Sequence, residues 1–115
     1  LTDENGTFAA YGAAGGNQIV PALTQLTGMI VHAGMDVEDA MNTPRMTTGP
    51  HNDIIVNVDM PADHVEALAR IGKIRPAAQT VFPRPFAAPG MIGRRNGEFV
   101  GMPDTTYPAA FAATA

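Results

Sequence analysis

Cysteine and tryptophan are absent from the 115 residues, and only 6% are aromatic and 16% charged. Without cysteine there is no disulfide frame, no thiolate nucleophile and no thiolate metal ligand, and the redox compartment is left open. Basic residues are scarce as well: seven Lys and Arg stand against eleven Asp and Glu, a formal net charge of −4. The longest basic run is Arg94-Arg95, which speaks against a phosphate-tracking surface and against nucleic acid as a partner. Long apolar runs are missing too. None approaches the roughly 20 residues a membrane span requires, Gly28 to Val31 among them, and no basic-then-apolar signal segment opens the chain.

What the chain has in quantity is small and apolar residues: 45% hydrophobic, with 12 Gly and 10 Pro. The length fits one domain that buries roughly two-thirds of its unfolded surface. Globular proteins average about a quarter charged residues, so this composition implies more apolar surface than a small domain hides, and hence covering partners. Leu1 is not an initiator methionine, which suggests a processed or partial chain.

Along the chain, the turn-prone Asp3-Glu4-Asn5-Gly6 precedes a short apolar run, Thr7 to Tyr11, closed by Gly12; this reads as a buried strand. Gly15-Gly16 leads to Asn17, a good N-cap, and then to Ile19, Leu23, Leu26 and Ile30 on one helical face. The helix is predicted over about Gln18 to Ala33, with Pro21 in its first turn and Gly34 as its stop. Asp36 caps a second, shorter helix through Asn42, which Pro44 forbids from continuing. Ile54, Val56 and Val58 alternate and predict a strand. Pro61 opens a third helix, roughly Ala62 to Ile71, with Val65, Leu68 and Ile71 on its inner face. Pro76 to Gly90 reads as an irregular loop, because Pro83, Pro85 and Pro89 disfavour a central strand. A hairpin around Asn96-Gly97 closes the fold, since both residues accept positive φ. The Ala-rich tail Tyr107 to Ala115 is expected to fray.

Chemistry is sparse. Gly12 to Asn17 takes a strand into a helix through glycines, leaving backbone N–H groups without side-chain cover at the positive end of a helix dipole. Adjacent N–H donors of that kind stabilise the oxyanion of a tetrahedral acyl-transfer intermediate. The same glycines also suit a plain strained turn. His32, His51 and His64 are scattered, with no metal-ligand spacing, and read as surface histidines. The seven Met residues read as adaptable packing. Arg45, the first base in the chain and preceded by five acids, is expected to pair with a carboxylate. No Ser, Thr or Lys lies in a local motif that marks an activated nucleophile.

As an ordered set, these features resemble the C-terminal part of the small subunit of the gamma-glutamyltranspeptidases, which are N-terminal-nucleophile hydrolases. The resemblance is carried by Asp3 to Thr7, then Gly12-Ala13-Ala14-Gly15-Gly16-Asn17-Gln18-Ile19, Gly34-Met35-Asp36, Ala40 and Pro44-Arg45. It continues with Asp53, Ile54 and Val56, with Leu68 and Gly72, and with Asn96 to Asp104. Two stretches depart from the family pattern. Asp104 is followed by Thr105 and Thr106 rather than Pro and Arg, and Pro76 to Pro89 is unlike the usual segment.

The resemblance implies an α+β fold over residues 1–115: part of a four-layer αββα sandwich, with antiparallel strands and the Gln18 and Ala62 helices on one face. It implies transfer or hydrolysis of gamma-glutamyl groups, as from glutathione, through a Thr acyl-enzyme, with Gly15 and Gly16 giving oxyanion-hole N–H groups. The family's catalytic Thr opens the small subunit and lies upstream of the residue matching Leu1, as do the residues that hold the gamma-glutamyl group. Thr2 corresponds to a later strand and does not replace that nucleophile. The partners implied are the remaining large- and small-subunit segments; no cofactor is implied. A non-catalytic binding module, or an acylase acting on another amide, are the competing readings.

Overall fold

The computed structural model describes residues 1–4 and 6–104; the Ala-rich tail lies outside the described residues. Two short strands, β1 (Thr2–Asp3) and β2 (Gly6–Thr7), pair antiparallel, and β3 (Ala9–Ala14) follows. Gly12 therefore does not end the strand: it pairs with Gly90 in mid-ladder. A 3-10 turn, Gly16–Gln18, leads into α1 (Ile19–Thr27), which runs on through a π-helical turn, Gly28–His32. Asn17 lies inside the 3-10 turn, so it is not the cap. Helical backbone ends beyond Ala33, and Gly34 takes the left-handed φ of +66° that breaks it. Asp36 caps α2 (Val37–Asn42), its carboxylate accepting from Glu38 N–H at 2.9 Å.

β4 (Met46–Thr48), β5 (Ile54–Asn57) and β6 (Ile74–Ala77) form one sheet, with β5 central, antiparallel to β4 and parallel to β6. α3 (Ala62–Ala69) is the crossover between the two parallel strands. β7 (Ala88–Arg95) and β8 (Glu98–Pro103) form the closing hairpin, and β7 pairs antiparallel with both β3 and β8. Its two-residue loop, Asn96-Gly97, has φ of +52° and +86°, the pattern of a type I′ turn.

The core lies between α1 and the β3–β7–β8 sheet. Leu26, Ile30, Ala40 and Met41 pack there with Ala9 and Met91. Leu26 is fully buried, worth about 1.5–3 kcal/mol on apolar transfer. Tyr11, on the core side of β3, shares a short hydrogen bond with the Thr27 hydroxyl of α1. The opposite face of this sheet presents Ala10, Gly12, Ala14, Gly90 and Ile92, all exposed, and here the shortage of charge becomes visible as bare apolar surface.

Several expectations are corrected by tertiary context. In β5 the adjacent Ile55 and Val56 are both buried, while Val58 is 55% exposed in the turn that follows. A central strand is covered on both faces, so alternation is no guide there. Pro89 lies inside β7, a central strand, opposite Ala13. It is tolerated because β8 ends at Pro103, opposite Gly90, which leaves Pro89 beyond the end of that ladder. Pro76 likewise lies within β6, an edge strand; only 78–87 is irregular. The two long helices do not share a face. α1 packs on β3, β4 and β7, whereas α3 lies on β6 with no buried residue, and Ile71, past its end, is 78% exposed. Among the described residues no helix is long and apolar enough to cross a membrane.

Candidate functional site

The Gly15–Gly16 turn sits where β3 hands over to α1. The β3–β7 ladder runs up to the Ala14–Ala88 pair, and Gly15 then turns with φ +154° and ψ 18°. Its carbonyl accepts from Gln18 N–H at 3.1 Å, which closes the 3-10 turn. Gly16 follows with φ +55°, a left-handed conformation in which side chains other than glycine are strained. The two glycines differ in surroundings. A Cβ built on Gly15 would stand 2.7 Å from the Ala87 Cα and 2.9 Å from its Cβ, whereas nothing lies within 4 Å of one built on Gly16. One side of the turn is thus walled and the other open to an approaching group.

The turn is electrostatically suited to an anion. The first N–H groups of a helix have no intrahelical acceptor, and the dipole adds partial positive charge at that end. Neither the 3-10 turn nor the first turn of α1 carries an acidic residue to neutralise it.

A second polar feature surrounds Arg45. Arg45 and Asp104, each 7% exposed, face a hollow of about 160 Å³ lined also by Asn42, Asn57, Asp59 and Gln79. Arg45 Nη1 donates to the Met41 carbonyl at 3.0 Å, while its Nε is buried without a hydrogen-bond partner among the described residues. Burial pulls the guanidinium pKa below its ordinary value, and the Asp104 carboxylate partly restores it. Gln79 Nε2 reaches the same carboxylate at 3.4 Å. Asp104 is thus the carboxylate that Arg45 faces.

α1 links the two features. The Gln25 amide donates to the Met46 carbonyl at 2.7 Å and accepts from Met46 N–H at 2.9 Å, serving the edge of β4 as a neighbouring strand would. Gln18 accepts a short hydrogen bond from the Thr47 hydroxyl. Asp53 is structural: its carboxylate lies 3.7 Å from Arg75 Nε and 4.0 Å from Lys73 Nζ, tying the start of β5 to β6. His32, His51 and His64 are exposed, and among the described residues no group of three His, Asp or Glu is placed to hold a metal ion. The sequence carried no local signal for Ala87, which meets Gly15 only through strand pairing.

The fold matches part of the sandwich of the N-terminal-nucleophile hydrolases. An acivicin-inhibited gamma-glutamyltranspeptidase superposes with a TM-score of 0.75 at 19% identity, over 94% of this chain and 58% of that one. The T380A mutant of the Helicobacter pylori gamma-glutamyltranspeptidase gives 0.73 at 20% identity, over 92% and 57%. A cephalosporin acylase from Bacillus halodurans gives 0.77 at 21% identity, over 98% and 22%. The chain therefore spans well under two-thirds of the length of these structures. No curated protein matches it in sequence. The gamma-glutamyltranspeptidase family matches residues 1–114, and the chain belongs to that family.

Proposed function

We propose that this chain forms the C-terminal segment of an acyl-transfer enzyme that moves or hydrolyses gamma-glutamyl groups, of which glutathione carries one. In this reading a Thr in a further segment forms the acyl-enzyme, and Gly15 and Gly16 supply backbone N–H donors to the oxyanion. The observation that carries it is the turn itself: two consecutive glycines at positive φ, at a helix N-terminus free of acidic side chains, with open space beside Gly16. Fixed dipoles of that kind stabilise charge that develops on a carbonyl oxygen without having to reorganise. In the acivicin-inhibited relative the C-terminus has critical roles in autoprocessing and catalysis, which fits a functional contribution from this end of the fold.

Fold does not fix the acyl group, and a cephalosporin acylase shares the architecture. A gamma-glutamyl anilide and an acylated beta-lactam, offered side by side to the complete enzyme, discriminate the two; cleavage of the second alone refutes the gamma-glutamyl assignment.

Removing a donor without moving the backbone tests the oxyanion role. Gly15→Pro is unsuitable, since Pro requires a φ near −65° where Gly15 has +154°. Replacing Gly15 or Gly16 by glycolic acid turns one amide N–H into an ester oxygen and keeps the glycine geometry. Loss of about a hundredfold in turnover is expected at whichever position donates. Unchanged turnover at both positions refutes the assignment.

A further inference from the structure

We infer that Ala87 is a positioning residue for the Gly15–Gly16 turn: its backbone and methyl group form the wall that fixes the direction of the turn's N–H groups. The inference rests on the oxyanion reading above and extends it to a part of the chain that the glycine motif does not contain.

Three observations carry it. First, the space a side chain would need at Gly15 is already filled, by the Ala87 Cα at 2.7 Å, its Cβ at 2.9 Å and its N at 3.5 Å. Second, this wall is anchored. Phe86 is 2% and Ala87 1% exposed, and the next residue, Ala88, is paired with Ala14 in the last rung of the β3–β7 ladder. Third, the turn is closed by the Gln18 N–H to Gly15 carbonyl bond, and Gln18 is itself held by Thr47. A residue at φ +154° between two fixed neighbours has little freedom to rotate its peptide planes. The irregular stretch 78–87 thus ends in a buttress, and because Ala87 is buried beside the turn, added side-chain volume there has no solvent to enter.

The consequence is specific. Displacing the turn by a few tenths of an ångström spoils alignment with a developing oxyanion while leaving substrate contacts made elsewhere intact. A positioning role therefore lowers the acylation rate at each working site, whereas a purely structural defect lowers the number of working sites.

The test uses the complete enzyme with its nucleophile-bearing segment, and compares Ala87→Val with Ala87→Ser. Active sites are counted by burst titration with a gamma-glutamyl anilide, and kcat/KM is expressed per titrated site. The inhibition constant of an unreactive gamma-glutamyl analogue reports ground-state binding. Ala87→Val is expected to lose about tenfold or more in kcat/KM per site, with the inhibition constant within about threefold of the parent. Ala87→Ser, nearly isosteric, is expected to stay close to the parent. If Ala87→Val does not fold, Ala87→Gly removes the methyl wall instead, and a loss of about threefold or more per site is expected. An unchanged rate per site in the folded variant overturns the inference. Failure of this inference is separable from failure of the oxyanion reading: the glycolic acid substitutions lower turnover in the first case and leave it unchanged in the second.

Discussion

Replacing each glycine of the turn by alanine should separate conformational strain from steric collision. At Gly16 the φ of +55° is the cost, since the Cβ would meet nothing within 4 Å; a left-handed non-glycine residue costs about 1–2 kcal/mol. At Gly15 the φ of +154° brings a comparable strain, and the Cβ adds a 2.7 Å approach to the Ala87 Cα. Carbon atoms in good contact lie about 3.5–4.0 Å apart, so the overlap approaches an ångström against a backbone held by the Ala14–Ala88 pair. Overpacking of this kind costs about 1–3 kcal/mol more. At about 4 °C of Tm per kcal/mol for a chain of this size, Gly16→Ala should melt about 4–8 °C below the parent. Gly15→Ala should fall a further 4–12 °C or so. Far-UV circular dichroism is the suitable assay, since the chain has no tryptophan. The double variant Gly15→Ala with Ala87→Gly relieves the 2.9 Å contact but not the 2.7 Å one, so it should recover only part of the loss. Equal melting temperatures for the two alanine variants, within about 2 °C, would refute a fixed wall at Ala87.

Other consequences follow from the same contacts. Gln25→Ala strips both hydrogen bonds from Met46 and should destabilise by about 1–3 kcal/mol in urea titration; no change would mean that water serves the β4 edge equally well. Arg45→Met removes the guanidinium that faces the buried Asp104 and its hydrogen bond to the Met41 carbonyl and should cost about 1–3 kcal/mol. A double-mutant cycle with Asp104→Asn should show a coupling of about 1 kcal/mol or more, and strict additivity would deny that the two groups interact. Asp36→Ala removes the α2 cap and should cost about 1 kcal/mol, read as a Tm shift.

Local rules found the elements whose cause is local. Asn96-Gly97 predicts its two-residue hairpin because both residues accept positive φ, and they adopt +52° and +86°. Asp36 predicts its cap because the acceptor lies only two residues from the donor. The helical face of Leu23, Leu26 and Ile30 was legible from spacing, and all three face the core. Pro76 and Pro89 lie in strands although Pro is disfavoured in a central strand, because neither has a paired neighbour on both sides. β6 is an edge, and β8 stops one residue short of Pro89. The alternation expected through Val58 failed because Ile55 and Val56, on opposite faces of β5, are both buried and the strand ends at Asn57, before Val58.

The sequence by itself determined where the turn with consecutive glycines falls, which helix it opens, the hairpin that closes the fold and the scarcity of charge that leaves apolar surface bare. These follow from backbone freedom, spacing and composition, each set within a few residues. Only the tertiary structure decided which glycine is walled and which is open, that Ala87 forms the wall, and that Arg45 faces Asp104 across a hollow. Those contacts join residues far apart in the chain, and what brings them together is strand register and helix packing, which no local pattern encodes.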